Sequence, residues 1–323
     1  MVGRLNPGIT DAWLTRLGLV SYGPPDLITR QDQIPGTQYA GILRAGFEIL
    51  HLDGFLCIQH VPTIAFLVRD ERNDKEITQI HRALWNQGTT SLLLVLLPDQ
   101  VLAYSLLAPP IQGDVPAKDR RLIQTFDLVA SGLELAELIS GVQSGRYFEE
   151  HAANFDMSTR VDSVLVDNLA VTYEQLSATG LAADNAHALL MQVMFIAYLE
   201  DRELIDREYV RVAVGDQKIV NLLTLLQSGD PQPFHRLFKR LNKNFNSDIF
   251  LAPCAFGADG RVPALKPKHL YLLAEFRRGT VDFKSGQGRF WPYEFQFIPV
   301  ELISAVYDRL LANTPERKRE GGV

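Results

Sequence analysis

Cysteine is scarce in this chain. Its 323 residues include two, Cys57 and Cys254, far apart in sequence. They fit a reducing, cytoplasmic setting and cannot build a four-cysteine zinc site. The seven histidines (His51, His60, His81, His151, His187, His235 and His269) contain no His-x-x-x-His pair, so the helical spacing of a metal site is missing. No Ser/His/Asp grouping is legible, and Gly286-Gln287-Gly288 is too short to read as a phosphate loop. No apolar run reaches bilayer length; the densest, 92–97, is strand-sized, so no membrane partner is expected. At the N-terminus Arg4-Leu5 is followed by Asn6, Pro7 and Gly8 rather than by the apolar core of a secretory signal. Positive charge is in deficit: 32 Lys and Arg face 38 Asp and Glu, for a net charge of −6 and a pI near 5.7. Contact with nucleic acid must therefore come from a local basic face, not from the overall field. Internal repeats and low-complexity tracts are also missing.

Apolar side chains are plentiful, at 46% of residues, enough for two packed cores. Thr10 caps an expected short helix carrying Trp13, Leu14 and Leu17. Residues 46–51, 55–59 and 63–68 read as strands, with Gly54 turning between the first two. A helix over 76–86 carries Ile77, Ile80 and Leu84 on one face and stops at Gly88. Residues 91–97 and 101–107 read as two more strands, joined at Pro98-Asp99-Gln100. The Pro- and Gly-containing stretch 108–118 is the best boundary. Beyond it the period becomes helical: a stripe of Val161, Val164, Leu165, Leu169, Thr172 and Leu176, an all-round apolar helix over 182–203, and a last helix with Val300, Ile303, Tyr307 and Leu310 buried. The expected class is α/β plus all-α, with an α/β module over 1–110 and a helical domain over 111–323.

The element order of the first module (helix, three strands, helix, two strands) resembles the core of PD-(D/E)xK nucleases. That chemistry needs an acid followed by a Glu-x-Lys pair on the next strand, to hold a divalent metal and orient water. Asp53 stands where the first acid would be, but Val61-Pro62-Thr63-Ile64-Ala65-Phe66 offers neither Glu nor Lys. The module therefore reads as a degenerate nuclease-like fold, with Glu48 and Asp70 the acids left for a migrated site. Trp85-Asn86-Gln87-Gly88 reads first as a helix end with a core tryptophan, and second as a docking surface. Two basic-aromatic stretches remain. Over 234–243, Phe234, Leu237, Phe238 and Leu241 make an apolar stripe, with Arg236, Lys239, Arg240 and Lys243 on the opposite face. Arg277, Arg278, Lys284 and Arg289 lead to Phe290-Trp291. These eight cations are the candidate DNA contacts, because lysine and arginine on one accessible face meet phosphates and aromatics stack on bases. No catalytic residue and no metal ligand is identified.

Four segments resemble the large adenine-specific methyltransferases of type IIG restriction-modification and related anti-phage systems. Phe195-Ile196-Ala197-Tyr198-Leu199-Glu200-Asp201-Arg202 is similar to a helix of that family. Leu237-Phe238 through Asn244-Phe245-Asn246-Ser247-Asp248-Ile249-Phe250 is similar to a second element, with Ser247 where glycine is usual. Trp291-Pro292-Tyr293-Glu294-Phe295 through Ile298-Pro299-Val300-Glu301-Leu302-Ile303 is similar to the segment leading into the cofactor-binding domain. Ile80-His81-Arg82 through Trp85-Asn86-Gln87-Gly88 resembles a helix of some members' front domain.

The resemblance implies a parent enzyme that flips an adenine and methylates its exocyclic nitrogen from S-adenosylmethionine. The family's Asn-Pro-Pro-aromatic loop and glycine-rich cofactor loop are not in this sequence, and Gly-x-Tyr-Tyr-Thr-Pro would begin about where Val323 stands. The expectation is thus an N-terminal region that binds no cofactor itself and partners DNA and a methyltransferase core, in cis or as a subunit. The alternatives are a free-standing scaffold subunit of a defence system and a metal-dependent nuclease with a non-standard site.

Overall fold

A computed structural model describes residues 8–111, 119–245, 265–278 and 293–312. The described residues are mixed α/β: one six-stranded open sheet and twelve α-helices, grouped in two compact units. No described helix is long and apolar enough to cross a membrane.

The first unit runs to Ser163 and includes 297–299. It begins with α1 (Asp11–Arg16), β1 (Leu27–Ile28) and α2 (Ala40–Glu48), followed by β2 (Gly54–Ile58) and β3 (Val61–Val68). Next come α3 (Asp74–Gln87), β4 (Leu92–Leu96), β5 (Gln100–Ser105) and β6 (Leu122–Asp127). The six strands lie in sequence order. All neighbours are antiparallel except β3 and β4, which are parallel because α3 crosses between them. α3 starts where the Asn73 side chain accepts the Glu76 N–H at 3.2 Å, and ends at Gly88 in the left-handed conformation. Strand alternation sorts the sheet into two cores. Leu92, Leu94 and Leu96 join Trp13, Leu17 and Phe126 on one face; Leu93 and Val95 join Leu43, Ile77 and Leu84 on the other. β4 is apolar throughout because both its faces are covered.

Three expectations are corrected here. Residues 46–48 belong to α2, not to a strand, because Gly46 is pressed under Phe55: a Cβ there would lie 2.4 Å from the ring. Gly54 opens β2 rather than turning a hairpin; the hairpin is at Gln59 and His60, which both take positive φ (51° and 68°). The sheet also continues past the 108–118 stretch, since β6 pairs with β5 from Gln100↔Asp127 to Tyr104↔Leu122. The unit closes with α4 (Gly132–Ser144) and α5 (Arg146–Glu150).

The second unit covers 164–296 and 300–323 and is helical where described. Helix α6 (Val161–Ala178) leads into it, followed by α7 (Ala183–Asp201), α8 (Arg207–Val214) and α9 (Leu222–Gln227). α10 (Pro231–Phe245), α11 (Pro267–Arg278) and α12 (Val300–Ala312) complete it. In α6 the expected stripe is buried at Leu165, Leu169, Thr172 and Leu176. α7 buries residues on most of its circumference, including Leu189, Leu190, Val193, Met194 and Ile196, as its composition predicts. In α12, Ile303 and Val306 are buried whereas Val300 is 43% exposed, so the buried stripe starts one turn later than the pattern predicts.

Candidate nucleic-acid interface and a carboxylate cleft

Helix α10 sets its two faces apart by side-chain type. Phe234, Leu237, Phe238 and Leu241 are buried, with the Phe234 and Phe238 rings 4.5 Å apart edge to face. Arg236, Lys239, Arg240 and Lys243 are all exposed, and the fifteen residues of the helix include no acid. Arg236, Lys239 and Lys243 make no ion pair among the described residues. Seven residues of helical rise spread these charges over about 10 Å, the axial length in which one strand of B-DNA carries about three phosphates.

α8 extends this surface, a contribution that the sequence pattern did not reveal. The Arg240 guanidinium lies 5.3 Å from the centre of the Tyr209 ring, and the Asn244 side-chain amide donates to the Tyr209 hydroxyl at 3.0 Å. Tyr209 holds the N-terminal turn of α8, where Asp206 accepts its backbone N–H at 2.7 Å. Arg240 is therefore positioned by stacking, while its three neighbours project freely into solvent.

The other basic stretch behaves differently. Arg277 is bound to Asp201 at 2.8 Å, with 16% and 21% of the two side chains exposed. It ties α11 to the end of α7 and is neutralised there by Asp201. Arg278 pairs with Glu275 on its own helix at 2.9 Å. Lys284 and Arg289 lie outside the described residues.

Asp53, the candidate first acid of a nuclease site, is 5% exposed. Its carboxylate accepts the Val68 N–H at 2.7 Å and sits 3.4 Å from Arg69. Arg69 also reaches Glu76 at 2.6 Å and the Val68 carbonyl at 2.7 Å. Burial raises the Asp53 pKa, against the Val68 N–H and Arg69, which pull it down. Across from it, the β2–β3 register offers Ile64, Ala65 and Phe66. Glu48 takes a hydrogen bond from Gln31, and Asp70 is exposed. Among the described residues no three of His, Cys, Asp and Glu are gathered to hold a metal ion. The Trp85 indole is 1% exposed and donates to the Thr159 carbonyl at 3.1 Å, while Asn86 and Gln87 are equally buried. This helix end is core, not a docking surface. Three histidines are buried: His81, whose Nε2 meets the Ser105 carbonyl at 2.8 Å, His187, stacked on Tyr173, and His269. Burial, with Arg121 nearby, lowers His81 to about 4, so it is neutral and donates from Nε2.

Sequence reading also missed a carboxylate pair at the end of α7. Glu200 accepts the Leu222 N–H at the start of α9, and Asp201 accepts the Phe295 N–H at 3.0 Å besides binding Arg277. Both line a cleft of about 600 Å³ with Glu203, Asp206 and Arg207. Burial pushes Glu200 up to about 7, against the Leu222 N–H and Arg277. Comparison with family models, with curated proteins and with solved structures finds no match.

Proposed function

We propose that this chain is the front region of a S-adenosylmethionine-dependent adenine-N6 DNA methyltransferase of the restriction-modification or phage-defence kind. In this reading the first unit is a nuclease-like module whose acid has become structural, and the second supplies scaffold and DNA-backbone contacts. One observation carries the DNA contact: an acid-free, exposed basic face on α10 in a chain whose net charge is −6. The burial of Asp53 and its bond to Arg69 support a module without nuclease chemistry. Two of the segments that carry the resemblance, Phe195–Arg202 and Trp291–Ile303, meet through Asp201 and the Phe295 N–H.

The cofactor does not fit this chain. Neither the Asn-Pro-Pro-aromatic loop nor a glycine-rich loop after a strand is in its sequence. Adenine flipping and methyl transfer belong to a methyltransferase core, in cis or as a partner subunit, and no step of that reaction runs through these residues.

The test is fluorescence anisotropy with a labelled DNA duplex across a salt series, on the chain and on the combined Arg236→Ala, Lys239→Ala and Lys243→Ala variant. Arg240 is left in place because it packs on Tyr209. Weaker binding with a shallower salt slope supports the reading; an unchanged affinity and slope sink it. Micromolar binding of S-adenosylmethionine to the chain alone, measured by isothermal titration, would contradict it separately.

A further inference from the structure

The first unit carries a second surface, opposite in charge to α10. β6, α4 and α5 enclose a cavity of about 370 Å³. Phe126 and Leu138 give it a buried apolar floor. Gly141 lies in its wall, where a Cβ would meet nothing closer than 3.6 Å. Tyr147, another wall residue, is 5% exposed, and its hydroxyl has no hydrogen-bond partner among the described residues.

The rim is acidic. Glu134, Glu137 and Glu150 line it, against the one guanidinium of Arg146. Arg146 stands 3.6 Å from Glu137 and 3.8 Å from Glu150, beyond hydrogen-bonding distance, and all three side chains are more than half exposed. The chain's own arginine thus shows which group this rim attracts, and leaves negative charge over.

Within the five residues before Glu134 are two apolar side chains with almost no cover: Val129 is 97% and Leu133 84% exposed. Val129 is held in an ordered turn, since the Asp127 carboxylate accepts its N–H at 2.8 Å and the Ala130 N–H at 2.9 Å, and Leu133 lies in the first turn of α4. Exposed bulky apolar side chains in the segment that leads into the acidic wall residue Glu134 are a contact surface in form.

We infer that this face docks a peptide segment of a protein partner that is both cationic and apolar. An arginine or lysine side chain enters the cavity between Glu134 and Glu150, its stem over Phe126 and Leu138, and a neighbouring leucine-like residue covers Val129 and Leu133. Charge sign selects this occupant over nucleic acid, which the same carboxylates repel. The inference does not rest on the DNA-binding reading, which concerns the other unit.

The probe is a fluorescein-labelled synthetic peptide alternating arginine and leucine, followed by fluorescence polarisation against the full chain at about 50 mM salt, where screening is weak. The expected result is saturable binding, weakened roughly 10-fold by combined Glu134→Gln, Glu137→Gln and Glu150→Gln and several-fold by combined Val129→Ser and Leu133→Ser. Gly141→Leu, which fills the cavity and favours the helix, should abolish it without lowering the melting temperature. The combined Arg236→Ala, Lys239→Ala and Lys243→Ala variant should bind the peptide normally, which separates this outcome from failure of the DNA reading. Equal affinity for the wild type and the three-glutamine variant, or no binding to the wild type, overturns the inference. Self-association of the chain that the same substitutions abolish would give the surface to a second copy and overturn it as well.

Discussion

Asp201 and Phe295, 94 residues apart, are joined through one hydrogen bond, from the Phe295 N–H to the Asp201 carboxylate at 3.0 Å. The other oxygen of that carboxylate holds Arg277 at 2.8 Å. One side chain at the end of α7 therefore fixes α11 and the segment entering α12. Asp201→Ala removes the ion pair to Arg277 and the acceptor of the Phe295 N–H, and should cost about 2 kcal/mol of stability. The urea midpoint at constant m-value measures it. Arg277→Ala should lower stability in the same way while leaving DNA affinity nearly unchanged, since Asp201 already neutralises Arg277.

Stability should fall with rising pH because of Glu200. Its folded pKa is raised from the ordinary 4.5 to about 7, so the folded chain holds a proton that the unfolded chain releases. Its contribution is complete below about pH 4.5 and is lost as pH rises through about 7. Glu200→Gln keeps the neutral form at every pH. Compared with the wild type, that variant should lose less stability between pH 5.5 and pH 8, read from urea midpoints at both values. Identical pH dependence in the two proteins would contradict the burial argument.

The basic face of α10 should act through counterion release. Removing Arg236, Lys239 and Lys243 together should make the slope of log K against log salt shallower by about 2–3 units if each meets a phosphate. The loss should be the same for unrelated duplex sequences, because these contacts read backbone and not base edges.

Asp53→Ala should act on the fold alone. The carboxylate is enclosed, and its loss strands the Val68 N–H and one side of Arg69. A cost of about 2–3 kcal/mol is expected in urea unfolding. Incubation with supercoiled DNA and magnesium or manganese should show no cleavage with or without the substitution; cleavage lost on Asp53→Ala would restore the nuclease alternative.

Gly46→Ala should be more damaging than a helix-favouring change normally is. The added methyl would meet the Phe55 ring at 2.4 Å inside a filled core. The thermal midpoint should drop by the equivalent of about 1–3 kcal/mol.

Local patterns made much of this protein legible. The uninterrupted apolar run of β4 signals a strand covered on both faces, and the two-faced spacing of α10 predicts which side chains are buried and which are exposed. Asn73 and Gly88 bound α3 by capping chemistry that the residue types carry with them. Where a residue's role depends on distant partners, the sequence was silent or misleading. Residues 46–48 have strand-like neighbours, yet they end a helix because Phe55 needs the space above Gly46. β6 is short and half-polar, and becomes a strand through pairing with β5. Arg277 and Lys239 look alike in a basic stretch, but Asp201, on another helix, neutralises only the first. Sequence alone determined the spacing of apolar and charged side chains, because helix and strand periods are local. Only the tertiary structure decided which charges are paired and which are presented to a ligand, because pairing and burial depend on residues that folding brings together.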